Sequence, residues 1–250
     1  MKLLARALPL RERLFGLANR GKSSFTCPIC RYAGPFRDLS GPTGRRLHAR
    51  CTRCGALERH RLQMLVLQSL FGGRDTGSLR MLHFAPEKHF RPIFMKMFGG
   101  YETADLCARG VDHRVDLQRL PFPGASYDVV YASHVLEHVP DDAAAIREIR
   151  RVLAPGGLAI LPVPIVNPVT VDYPEPNARE SMHVRAPGPD YFDRYRPHFS
   201  RVDLYRSGDF PERYQLYAYE DRTGFPSARS PLLLPTAGSR HEDIVPVCLA

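Results

Sequence analysis

Apolar and polar positions change period several times along the chain, and each change marks an expected element. Residues 1–26 mix basic and apolar positions as a basic amphipathic arm. From Ala56 onward, Leu57, Leu62, Met64, Leu65, Leu67 and Leu70 recur at helical spacing, and Gly72-Gly73 ends this linking segment, placed at 56–79. Short apolar runs then alternate with helical stretches. Those at 80–84, 101–106, 111–117, 127–132 and 158–163 read as five strands. Between the last two, 141–153 is the clearest helix, with Ile146, Ile149 and Leu153 on its apolar face. Asp141 and Asp142 stand at its start and Arg147, Arg150 and Arg151 toward its end, as the helix dipole favours. Pro155-Gly156-Gly157 stops it. Strands and helices in alternation predict an α/β fold built on a parallel sheet.

Beyond residue 163 the character shifts. Residues 164–198 are rich in Pro and Tyr and carry little periodicity, which suggests a lid-like insertion. Two further strand-like runs, 200–206 and 214–220, are expected to pair antiparallel at the sheet edge. Residues 226–250 read as an extended, Pro-rich tail. With 44% hydrophobic residues, the chain can build one large domain plus a small module. No apolar run approaches the roughly 20 residues that span a bilayer, and the N-terminus lacks a secretory h-region. A soluble, cytoplasmic protein is the expectation.

Net charge is +9, and Arg outnumbers Lys by 31 to 4. Arginine grips phosphate and carboxylate through a planar fork, so an anionic partner must be considered. No block of five or six consecutive basic residues occurs, and charge alone does not choose the partner.

Four of the six cysteines are organised as two Cys-x2-Cys pairs, Cys27/Cys30 and Cys51/Cys54. Two such turns can close a tetrahedral four-sulfur shell around structural Zn2+, with no position left for water. Arg31, Arg50 and Arg53 beside them can offset the negative charge of that centre. A redox role would need only one pair. Residues 27–55 therefore read as a small zinc-ribbon-like module.

Three segments from 116 onward resemble one family. Asp116-Leu117-Gln118-Arg119-Leu120-Pro121-Phe122 followed by Ser126-Tyr127-Asp128-Val129-Val130 resembles D-x-x-x-L-P-F-x-x-x-S-F-D-x-V. His134-Val135-Leu136-Glu137-His138 resembles H-V-L-E-H, and Leu153-Ala154-Pro155-Gly156-Gly157 resembles L-x-P-G-G. These are motifs of the class I S-adenosylmethionine (SAM)-dependent methyltransferases, type 11. The resemblance implies a Rossmann-like doubly wound sheet over 80–225, of seven mostly parallel strands with an antiparallel end pair. It further implies SAM as cofactor, with Asp105 and Leu106 at the ribose, Asp116 and Leu117 at the adenine, and Ser133 and His134 at the mouth. The family's glycine-rich loop after the first strand is replaced here by His83-Phe84-Ala85-Pro86-Glu87. By the resemblance Ala85 takes the first glycine's place, Glu87 offers a carboxylate to the methionine ammonium, and His83 lies at the strand end.

Methyl transfer is an in-line displacement that needs a base only when the acceptor must lose a proton. His134 is the first candidate by position and His183, in the insertion, the second. Three functions stay open at this stage. They are a methyltransferase of a small-molecule acceptor at O, N or C, an RNA methyltransferase gripping phosphate with the zinc module, and a non-catalytic SAM-binding protein.

Overall fold

Alternation along two central strands sets the architecture. In Arg80–Phe84, Leu82 and Phe84 point to one face of the sheet and Met81 to the other. In Tyr127–Ala132, Val130 and Ala132 join the first face, Val129 and Tyr131 the second. A sheet apolar on both faces has to be covered on both.

The computed structural model describes residues 10–41, 44–220 and 239–250; residues 1–9 of the expected arm and 226–238 of the expected tail lie outside the described residues. The helices are α1 (Leu10–Ala18), α2 (Glu58–Phe71), α3 (Arg91–Met97) and α4 (Asp142–Val152). The main sheet holds β1 (Arg80–Phe84), β2 (Gly100–Asp105), β3 (His113–Arg114), β4 (Tyr127–Ala132), β5 (Leu153–Ile160), β6 (Arg201–Arg206) and β7 (Ile244–Leu249). Ile146 and Ile149 of α4 pack on one face, beside Tyr191, Phe192 and Tyr195. Leu62 and Val66 of α2 and Phe94 of α3 pack on the other. Asp141 caps α4 by accepting from the Ala144 amide, and Pro92 sits in the first turn of α3, where its missing N–H is harmless.

Strand order is β6-β7-β5-β4-β1-β2-β3. Strands β1 to β5 run parallel, and β7 is antiparallel to both β5 and β6. The order reverses at β1 and β4, so a crevice opens at their carboxyl ends, where ligands of open α/β sheets bind.

The antiparallel end pair is therefore real, but its members differ from the expectation. Strand β6 pairs with β7 at the chain's end, not with 214–220, and 244–249 is a sheet strand instead of an extended tail. Pro246 disguised it, since proline in a run argues against a central strand. The run Ile244-Val245-Pro246-Val247-Cys248 is nonetheless buried throughout. Ala218–Glu220 instead joins a second, four-stranded sheet with Arg37–Gly41, Gly44–Arg50 and Ser239–His241. The insertion is likewise ordered: Val171–Asn177 and His183–Ala186 form an antiparallel pair.

Arg61 of α2 joins the N-terminal module to the main domain. It is fully buried, and its guanidinium donates to the carbonyls of Ala49, Ala56, Tyr214 and Gln215. Its carbon plane lies over the Phe36 ring at 4.6 Å.

Candidate functional site

The two cysteine pairs come together. All four sulfurs lie within 4.8 Å of one another, with Cys27–Cys54 and Cys30–Cys51 at 3.6 Å. Sulfurs about 2.3 Å from a tetrahedral zinc stand about 3.8 Å apart, so the donor set fits that ion. Each pair closes a matching turn. The amides of Arg31 and Gly55 donate to the carbonyls of Cys27 and Cys51 at 2.8 and 2.9 Å. Both turns need a left-handed residue at that point; Gly55 supplies it freely, whereas Arg31 adopts φ of +59° at a cost. The cluster is a possible metal site, and its chemistry points to a structural one.

At the carboxyl ends of β1, β2 and β4 lies a cavity of about 310 Å³. Ala85, Asp105, Leu106, Asp116, Leu117 and His134 line it, six of the nine residues expected at the cofactor. Loop chemistry holds each in place. Asp105 Oδ1 accepts from the amides of Cys107 and Ala108 at 2.8 and 2.7 Å, and Gln118 donates to both oxygens of Asp116. Ala85 and His134 both take left-handed backbones, with φ of +46° and +55°. Ala85 thus keeps the loop shape that a glycine would adopt without strain. Replacing Ala85 with Gly should raise stability by a few tenths to about 1 kcal/mol, read as the denaturation midpoint.

The structure does not bring the other three to the cavity lining. Strand alternation turns His83 into the aromatic layer, against Phe94 and Tyr131, where it is hydrogen-bonded to the Tyr101 hydroxyl at 2.9 Å. Burial pushes His83 down to about 3, so it is neutral. Ser133 accepts from Gln63 Nε2 at 2.9 Å, within a buried network that Tyr131 completes. Glu87 reaches toward α2, 2.9 Å from His60 Nε2 and 3.3 Å from Arg59. Burial alone would raise the Glu87 carboxyl; the His60 hydrogen bond and the Arg59 charge override it and bring it to about 2. Its Oε2 is buried and finds no hydrogen-bond partner among the described residues.

Sequence reasoning missed Val135, Val139 and Pro140, which also line the cavity. It also gave Arg185 no part in holding the insertion in place. Arg185, 3% exposed, donates to the carbonyls of Leu136, Val139 (2.7 Å) and Pro140 (3.1 Å), and its Nε to Asp172 at 2.9 Å. This fastens the insertion onto the turn Leu136–His138. His183 consequently meets His138, ring centroids 4.7 Å apart. His134 Nδ1 faces Glu137 Oε1 at 3.4 Å, and its Nε2 is buried without a hydrogen-bond partner among the described residues. Nothing local in the sequence marks Arg185 as a clamp, because the carbonyls it meets lie more than forty residues away.

Comparison with known proteins finds a family match over part of the chain. A family model described as a methyltransferase domain matches residues 99–161, from β2 to the end of β5. The 27-O-demethylrifamycin SV methyltransferase of Amycolatopsis mediterranei is 48% identical over 54 residues, 22% of this chain and 20% of that protein. A 37.1 kDa protein of transposon TN4556 from Streptomyces fradiae is 42% identical over 60 residues, 24% of this chain and 17% of its own. This chain thus spans about a fifth of the length of the curated relatives it matches. Among solved structures, an S-adenosylmethionine-dependent methyltransferase from Mesorhizobium loti aligns with a TM-score of 0.48 at 15% identity, covering 76% of this chain and 99% of that one. Residues 99–161 thus match a methyltransferase domain, set in a seven-stranded sheet and preceded by a four-cysteine cluster.

Proposed function

We propose that the protein transfers a methyl group from SAM to a small-molecule acceptor. The observation that carries this reading is the cavity itself, where Asp105, Asp116, Leu117 and His134 converge at the strand-order reversal. Asp105 would accept from the ribose hydroxyls, while Asp116, held by Gln118, and Leu117 would hold the adenine. The unpartnered Oε2 of Glu87 is a buried acceptor of the kind an ammonium group satisfies. Bound SAM would supply an electrophilic methyl on a sulfonium. The chain's part is to orient the acceptor, exclude water with the 171–186 hairpin, and take a proton where the acceptor must lose one. His134, which lines the cavity, is the first candidate for that last task, and His183, which packs against His138, is the second.

Three arginines of the module support a small acceptor over RNA. Arg45 pairs with Asp38 at 2.5 Å, Arg46 with buried Glu58 at 2.8 Å and Arg53 with Glu12 at 2.9 Å. Cations already held by carboxylates are poor phosphate clamps. Among the described residues, no helix is long and apolar enough to cross a membrane.

Calorimetric titration of the full chain with SAM should give micromolar binding. Asp105→Ala should weaken it by about 1–3 kcal/mol, the scale of lost hydrogen bonds to a charged acceptor. Absence of any binding would leave the methyltransferase reading without support. Sequence-selective methylation of a purified RNA, lost on charge reversal of Arg45, Arg46 and Arg50, would overturn the acceptor class.

A further inference from the structure

Behind the cavity rim stands a second group of metal-ligating side chains that neither the fold nor methyl transfer requires. Glu137, His138 and His183 each offer one donor atom, all within 4.8 Å of one another. Glu137 is 1% exposed, and its Oε2 finds no hydrogen-bond partner among the described residues. His183 Nδ1 is buried and equally without one. A buried carboxylate oxygen left unpaired is costly, and such exceptions call for an ion or ligand. The clustering is not a chance of one flexible loop. Two of the three residues come from the turn Leu136–His138 and the third from the strand His183–Ala186, and buried Arg185 pins the strand to that turn.

We propose that Glu137, His138 and His183 bind one divalent transition-metal cation. Two imidazoles and a carboxylate suit such an ion, and three protein donors leave coordination positions open. His138 and His134 both line the cavity, so a cation held by His138 would stand at its edge. Glu137 serves both neighbours: Oε1 orients the His134 ring, while the carboxylate edge turned from it meets the ion. This assigns a substrate class on top of the proposed methyl transfer, on which that assignment rests: an acceptor bearing an oxygen donor able to reach the cation. The assignment of the metal site does not itself rest on the methyltransferase reading.

The test is a Co2+ titration of the full chain with its cysteine site already zinc-loaded. One further equivalent should bind, with weak visible d–d absorption and no thiolate charge-transfer band. Replacing exposed His138 (H138A) threatens the fold least and should abolish that equivalent. His183→Ala should do the same, and Glu137→Gln should weaken it at least tenfold. Circular dichroism on each variant reports on the fold, and SAM calorimetry on the parent chain reports on the cofactor site. No second equivalent in a SAM-binding protein overturns the metal site, as does an equivalent that persists in both histidine variants. Cobalt binding with no SAM binding by the parent chain keeps the metal site and removes the methyltransferase reading alone.

Discussion

Replacing Cys51 with Ser should strip the cysteine cluster of its zinc and unfold residues 27–56. Native mass spectrometry of the parent should show a zinc held by Cys27, Cys30, Cys51 and Cys54 that the variant lacks. Metal binding in modules this small is folding free energy, about 10–16 kcal/mol for zinc-finger peptides near neutral pH. The apolar part of the module cannot replace it, because its buried cluster contains little beyond Tyr32, Phe36 and Ala56 besides the cysteines. The damage should also spread. Ala49 and Ala56 lend carbonyls to the buried Arg61 guanidinium, and the Cys54 carbonyl is 3.1 Å from His89 Nε2 on the loop that follows β1. Uncovering a buried cation costs about 3 kcal/mol or more, so the main domain should melt earlier as well. Proteolysis confined to 27–56, with a lowered midpoint for the rest, is the expected pattern. A metal-free preparation whose residues 27–54 stay protected would refute it.

How far the sequence led can be judged from single residues. The four thiolates were legible because Cys-x2-Cys fixes both the turn and the ligand, and nothing distant is required. The strands β1, β2, β4 and β5 and helix α4 were legible for the same reason: their period declares which face is buried. Cavity residues Asp105 and His134 follow from lying just at or past the ends of β2 and β4, and Asp116 from the motif it opens. His83 and Ser133 did not come to the cavity because a one-residue step along or past a strand reverses the side chain's face. Strand β7 was hidden by Pro246, whose missing N–H is tolerated within a buried pair of ladders. Arg61 and Arg185 were invisible as structural residues. A polar side chain is buried only where several distant carbonyls converge on it, and those carbonyls carry no sequence signature.

Arg185→Met should therefore be among the most damaging single changes in the main domain. The guanidinium donates to three carbonyls of the segment 136–140 and pairs with Asp172, while its Nε lies 3.5 Å from Asp142. Methionine fills much of the same volume and satisfies none of these acceptors. Leaving buried carbonyls unmet costs about 1–3 kcal/mol each at the upper end, and breaking a buried ion pair about 3–5 kcal/mol. A net loss near 3 kcal/mol corresponds to a fall of about 6–12 °C in the midpoint for a domain of this size. Arg194→Ala is the control. Arg194 joins the same carboxylates, at 2.7 Å from Asp142 and 2.5 Å from Asp172, but stands one-third exposed and touches none of the three carbonyls. Its loss should cost far less, as pairs open to solvent do. Hydrogen exchange separates the two accounts of Arg185. If it clamps the insertion to the turn, exchange should quicken together in 134–140 and 171–186 and stay unchanged in the cysteine module. Faster exchange spread evenly over the sheet would instead make Arg185 an ordinary core residue, and the turn that carries His134, Glu137 and His138 would owe its shape to something else.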